Sequence, residues 1–168
     1  MLSKIEDCIP TLRRYALALL RDRQDADDLV HDCLVRALDK LHTRRDDVDV
    51  RAWLFAIMHN LFVSQRRRAK ARPDTETLED PDNGNAHSAP GDQEDRLRWK
   101  ELLRVLNGLP EDQRTVILLV SVEDLSYAEA ARVLGVPIGT VMSRLARGRE
   151  RMRQLAQEKG RPPLRRVK

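Results

Sequence analysis

Residues 125–153 read LSYAEAARVLGVPIGTVMSRLARGRERMR, and the local signals in this stretch describe two helices joined by a tight turn. Ser126 and Glu129 have the S-x-x-E spacing of a capping box, which starts a helix at Tyr127. Gly135 follows Leu134, where a helix end takes a residue that tolerates positive φ. Pro137 suits the first turn of a second helix. Only Gly135 and Val136 lie between the two, the short turn that a helix-turn-helix requires. In the second helix Ile138, Val141, Leu145 and Met152 fall on one face, and Thr140, Ser143, Arg144, Arg147 and Arg151 on another. A helix with a merely solvated basic face would share these stripes, but it has no need of the capping box, the glycine and the proline. The stretch is therefore expected to bind DNA, with the N-terminal half of its second helix against base edges in the major groove.

Working outward, Leu109-Pro110 opens a helix that should end near Ser121, and Asp92 can cap another that reaches about Leu106. The latter turns Trp99, Leu102, Leu103 and Leu106 inward. Three more helices lie near the N-terminus. The first runs from about Ile5 to Leu20, with Pro10 near its start and Leu12, Tyr15, Ala16 and Leu19 facing inward. The second begins after Asp22 and runs to about Leu41 on a stripe of Ala26, Leu29, Val30, Cys33, Leu34, Ala37, Leu38 and Leu41. The third starts at Asp49, a plausible N-cap, and reaches about Ala71. It buries Trp53, Leu54, Ile57, Met58, Leu61 and Phe62, and ends in the basic run from Arg66 to Arg72. Nothing alternates with period two, so the fold class is all-α, with no strand.

Charge divides the chain. Residues 1–72 hold 15 basic and 11 acidic side chains, residues 73–95 no Lys or Arg and eight acids, and residues 96–168 16 basic and eight acidic. Two basic blocks suit phosphate contact. The strip between them is rich in Pro, Gly, Asp and Asn, and Leu78 is its one large aliphatic residue. It cannot bury enough surface to offset the entropy of ordering, so it reads as a flexible acidic linker. Four segments follow: an N-terminal helical domain over 1–72, the linker over 73–92, a C-terminal helix-turn-helix domain over 93–160, and a disordered basic tail over 161–168.

No run approaches the roughly 18 apolar residues of a membrane span, and the N-terminus lacks the apolar core of a signal peptide. A cytoplasmic protein with no membrane insertion is expected. Cys8 and Cys33 are too few for a disulfide framework and lack zinc-finger spacing. Cys33 lies on an apolar stripe, which favours a buried thiol, and His31 is only two residues away and so on a different face. No metal site, cofactor or catalytic cluster is expected, and the protein should not be an enzyme.

Taken together, the segments resemble one family, the extracytoplasmic-function (ECF, group 4) sigma factors of bacterial RNA polymerase. DADDLVHDCLVRAL from Asp25 resembles the polymerase-binding helix of sigma region 2. RAWLFAIMHNL from Arg51 resembles the region 2 helix beside the minus-10 element. LPEDQRTV from Leu109, with Leu125 to Arg153, resembles region 4. A lone helix-turn-helix is weakly specific; three such segments in order around an acidic linker are strongly specific. The resemblance implies a three-helix region 2 domain and a region 4 helix-turn-helix domain. Together they would bind core RNA polymerase and promoter DNA, start transcription from particular promoters in a stress or signal response, and answer to an anti-sigma factor.

The resemblance also distributes roles. Asp25, Asp28, Asp32 and Arg36 would dock on polymerase, although an ordinary solvated charged face is the competing reading for each. His31 stands where the family often has Gln. The loop 42–49 would capture an unstacked base of the minus-10 element, with Arg44, Arg45, Arg51 and Asn60 as strand contacts. Trp53 lies on the apolar stripe and is expected to pack in the core rather than stack on a base. Arg66, Arg67 and Arg68 would contact phosphates, which position without specifying sequence. In region 4, Thr140, Ser143, Arg144, Arg147 and Arg151 would meet the minus-35 element, Arg144 and Arg147 foremost because a guanidinium can bind guanine bidentately. Met142 and Gly148 stand where the family often has a basic residue and Ala. Met142 would cost a contact, and Gly148 would weaken its helix by ~1 kcal/mol relative to Ala. The linker would thread the basic channels of polymerase.

Two other classes compete. A one-component regulator with a similar C-terminus should carry a ligand or receiver domain in place of the helix over 22–41. A sigma mimic that sequesters an anti-sigma factor would have no reason to keep the arginine row. The free chain is expected to bind duplex DNA weakly, because two separated domains present no fixed surface.

Overall fold

The computed structural model describes residues 1–44, 49–71 and 93–159, and every regular element among them is helical. The linker, Arg45, Arg72, the cap expected at Asp92 and the basic tail lie outside the described residues. Helix α1 spans Leu2–Leu20, α2 Arg23–Asp39 and α3 Val50–Ala71, with a short 3-10 turn at Leu41–Thr43. The C-terminal half holds α4 (Gln93–Asn107), α5 (Glu111–Ile117), a π turn (Leu118–Val122), α6 (Tyr127–Leu134) and α7 (Ile138–Lys159).

The N-terminal helices form because their stripes meet. Leu12, Tyr15, Ala16 and Leu19 of α1 are buried against α2 and α3. α1 begins before the expected Ile5, so Pro10 sits inside the helix rather than near its start. The turns on either side are held by the buried Ile5 and Leu12, which offsets the lost backbone donor. Arg21 ends α1 in the left-handed region at φ 63°, and the Asp22 carboxylate then accepts the N–H of Asp25 at 2.8 Å to cap α2. Asp49 caps α3, its Oδ1 accepting the N–H groups of Arg51 and Ala52 at 2.9 and 3.1 Å.

Cys33 is fully buried, and burial pushes its thiol pKa up to about 12, the inert packing thiol expected. Trp53 is partly buried against the core, and Phe55, which the apolar reading of α3 omitted, is fully buried with its ring edge on Tyr15 at a centroid distance of 5.0 Å. Leu38 is a correction. It is 50% exposed, because the packed stripe of α2 is the narrow row Ala26, Leu29, Val30, Cys33 and Ala37, and Leu38 lies one residue round the helix from it.

In the C-terminal half Leu106, Val116, Ile117, Leu118, Leu119, Ala130, Val133, Val141 and Leu145 form the core. Trp99, Leu102 and Leu103 of α4 are only partly covered. α5 does not run evenly to Ser121. Glu123 donates its N–H to the Leu118 carbonyl at 2.9 Å, closing a wider π turn that carries the Glu123 side chain inward.

The two halves touch in this arrangement, with α6 lying along α3 and α5 against α1. What holds them is chemistry that single-segment reading cannot pair: residues more than 100 positions apart form an ion pair across the seam.

Gly148 also changes meaning. A Cβ there would meet Ile117 Cδ1 at 2.6 Å and Cγ1 at 3.3 Å, and Ile117 is buried. The glycine lets α7 approach α5. Gly148→Ala should therefore give no gain in stability and a loss of up to about 2 kcal/mol in thermal or urea unfolding, since overpacking of about 1–3 kcal/mol offsets the ~1 kcal/mol gained in helix propensity. A more stable variant would show that Ile117 relaxes freely.

Candidate nucleic-acid interface

The helix-turn-helix is built as its sequence predicts. The Ser126 hydroxyl accepts the N–H of Glu129 at 3.2 Å, and Glu129 Oε2 accepts the backbone N–H of Ser126 at 2.8 Å. Hydrogen bonds from the Ser126 hydroxyl and backbone hold the Glu129 carboxyl below the usual carboxylate range. Gly135 takes φ 63°, and Val136 donates back to Ala131 at 3.1 Å. The Pro137 carbonyl accepts from Thr140 and Val141 at 2.9 and 3.2 Å, opening α7 at Ile138.

α7 then divides its faces more finely than the sequence pattern did. Val141 and Leu145 are buried, and Met152 is partly buried. Ile138, placed on the core face from its spacing, is 49% exposed, because the core stripe begins one turn later at Val141. The five polar candidates also separate. Ser143 and Arg147 are exposed, the Arg147 Nε donating to the Ser143 carbonyl at 3.3 Å. Arg151 is exposed, and Thr140 is partly buried. Arg144 leans toward α5, its Nε 3.4 Å from Asp112 Oδ2 and its side chain 27% exposed. It lines a cleft of about 120 Å3 with His59, Glu111, Asp112, Thr115 and Leu134. Burial lowers the pKa of His59, which lines the cleft from α3.

The candidates on the N-terminal half are only partly presented to solvent. Arg51 points at the seam, its Nη2 3.8 Å from Glu123 Oε2. Arg44 is partly buried and Asn60 exposed. Arg66 crosses to the other half and pairs with Glu111 at 3.0 Å, whereas Arg67 and Arg68 remain exposed. On α2, Asp25, Asp28, Asp32 and Arg36 are all exposed, as expected. Val35 and Leu38, 46% and 50% exposed, lie among them and make that face mixed acidic and apolar, which suits a protein partner better than a nucleic acid.

Three residues at the seam had no local signal. Glu123 is fully buried and accepts two hydrogen bonds from Arg14, Nε at 2.9 Å and Nη2 at 2.8 Å. That contact raises the Arg14 pKa. Arg114 is 5% exposed, and its Nε and Nη1 are buried without an acceptor. Arg14 and Glu123 find each other 109 positions apart, so no window of sequence contains the information.

Comparison with known proteins follows the same division. Residues 99–152 match the family described as Sigma-70, region 4, and residues 5–59 match the Sigma2 domain of PhyR. The chain is 36% identical over 150 residues to the ECF RNA polymerase sigma factor EcfG of Rhodopseudomonas palustris (strain TIE-1), which covers 88% of this chain and 80% of that relative. It is 33% identical over 135 residues to the ECF RNA polymerase sigma-E factor of Escherichia coli (strain K12), covering 75% and 71%. Among solved structures, the sigma factor RpoE of Bartonella quintana, in complex with the anti-sigma factor NepR, superposes with a TM-score of 0.71 at 29% identity, over 92% of this chain and 95% of that one. CnrH, in complex with the cytosolic domain of CnrY, superposes at 0.66 and 26%, over 92% and 85%. A region 2-like half, a region 4 helix-turn-helix and curated relatives over most of the length agree: the chain belongs to the ECF RNA polymerase sigma factors.

Proposed function

We propose that this sigma factor joins core RNA polymerase and directs it to a class of promoters, in a stress or signal response, by reading two elements at once. Residues 1–72 would take the minus-10 element and residues 93–160 the minus-35 element, with 73–92 spanning polymerase between them. The observation that carries the reading is the solvent-facing Ser143–Arg147 surface on the N-terminal half of α7, set behind a left-handed Gly135. Arg144, Thr140 and Arg151 flank it and would meet phosphates or bases. The mixed face of α2, with Asp25, Asp28, Asp32 and Arg36, would dock on polymerase. Arg44, Arg45, Arg51 and Asn60 would meet the minus-10 strand, and Arg66, Arg67 and Arg68 its phosphates. The role needs no catalytic group or cofactor, and it places the protein with polymerase in the cytoplasm.

The closed seam holds Arg51 and Arg66 on carboxylates of the other half. Productive binding would have to separate the halves, and that freedom is also what an anti-sigma partner of the kind bound to RpoE would exploit. In vitro transcription with core polymerase on a genomic fragment library should give initiation at a recurring pair of elements. Absence of promoter-dependent initiation sinks the reading.

The match of residues 5–59 to the Sigma2 domain of PhyR favours one alternative, a sigma mimic that only captures an anti-sigma factor. It leaves the exposed arginines of α7 without a use, and the same transcription assay separates the two.

A further inference from the structure

We propose that Met142, flanked by Ile138, reads thymine methyl groups in the minus-35 element and makes this chain select an A·T or T·A pair there. The inference rests on the promoter-reading role proposed above.

The observation is a misplaced pair of apolar side chains. α7 buries Val141 and Leu145 fully, so its core face is already occupied, yet Met142 is 51% and Ile138 49% exposed. They are four residues apart and so neighbours on one flank of the helix. They lie in its first two turns, the end that a helix-turn-helix presents to base edges. At about 100° per residue, Met142 stands beside Ser143 and Ala146 on the side away from Val141, with Arg147 beyond them. Gly139, Ser143 and Ala146 are small and exposed, and a Cβ at Gly139 would meet nothing within 4 Å. The helix backbone can therefore come close to the groove floor, which brings a long side chain at 142 within reach of a base edge. Arg144 leans the other way, onto Asp112.

The chemistry of the groove names the ligand. An unbranched thioether offers no hydrogen bond of useful strength, but it fills irregular apolar space well. In the major groove the one apolar feature of a base pair is the C5 methyl of thymine. A cation at 142 would seek guanine or phosphate instead. Single exposed apolar residues are common on protein surfaces. Two of them, four residues apart at the reading end of a recognition helix, are a surface with a specific counterpart.

The test removes only the methyl group. Holoenzyme made with the full chain is assayed on a promoter recovered from the fragment library. Each thymine of the minus-35 element, on either strand, is replaced in turn by deoxyuridine. At one or two positions open-complex formation should fall about fourfold, the effect of one buried methyl. The same positions should become indifferent to the replacement with Met142→Gln, whose exposed site leaves folding unchanged. Ile138→Ser should blunt the response at the neighbouring position. Holoenzyme that still depends on Arg147 for minus-35 discrimination but ignores every methyl overturns this proposal and leaves the proposed function standing. So does a Met142→Gln holoenzyme that remains as methyl-sensitive as the parent. A chain that gives no promoter-dependent initiation overturns both.

Discussion

Arg14→Ala is expected to lower the stability of the closed arrangement by about 3 kcal/mol and to let the two halves separate. The Glu123 carboxylate has no exposed surface, and its two oxygens accept from Arg14 at 2.9 and 2.8 Å. Removing the guanidinium leaves a buried charge with Arg51, 3.8 Å away, as its remaining cation among the described residues. Loss of one partner from a buried pair costs about 3–5 kcal/mol. The Arg14 side chain is itself 43% exposed, so solvent screening places the effect at the lower end. Arg14→Lys should be intermediate, because an ammonium keeps the charge but not the two-pronged geometry. A donor–acceptor fluorophore pair across the seam, with thermal melting, reads both effects. Unchanged distance and unchanged melting would falsify the latch.

The seam is not stabilising throughout. Arg114 of α5 is also buried, its Nε and Nη1 meet no acceptor, and its pKa is lowered by burial and by the nearby Arg21. The paired Glu123 carboxylate and the partly unsatisfied Arg114 guanidinium therefore act on stability in opposite directions.

The helices and the helix-turn-helix were legible because their signals are local. A capping box, a left-handed glycine and a stripe of apolar residues each sit within one or two turns of sequence. The same logic misplaced Leu38 and Ile138, since periodicity gives the direction of a face but not where its partner ends. It also read Gly148 as a defect, although the glycine admits Ile117 from another helix. Arg51 and Arg66 were legible as basic residues and not as seam residues. Their carboxylate partners, Glu123 and Glu111, lie 72 and 45 positions away on the far side of the linker. Glu123 turns inward through a π turn that no propensity announces. What was missed is therefore what depends on pairing between helices distant in sequence, some within one half, as Gly148 with Ile117, and some between the halves, as Glu123 with Arg14.

Arg147→Ala is expected to lower discrimination among minus-35 sequences by about 1–3 kcal/mol, roughly 5- to 150-fold, the worth of one good bidentate base contact. The sequence ranked Arg144 and Arg147 together, but their surroundings differ. Arg147 is exposed on the side of α7 away from Val141 and Leu145, its Nε donating to the Ser143 carbonyl. Arg144 is 27% exposed and already engages Asp112. A guanidinium committed to a carboxylate suits a phosphate at the groove edge better than the floor. Arg144→Ala should weaken binding about equally on all minus-35 sequences, and the holoenzyme's salt dependence should fall by about one ion. Arg147→Ala should flatten the sequence preference at one base pair. Titration of single-base minus-35 variants at two salt concentrations separates these outcomes. Full discrimination retained by Arg147→Ala, with discrimination lost in Arg144→Ala, reverses the assignment. It would mean that the Arg144–Asp112 pair, which lies wholly within the C-terminal half, breaks on DNA and frees the guanidinium for a base.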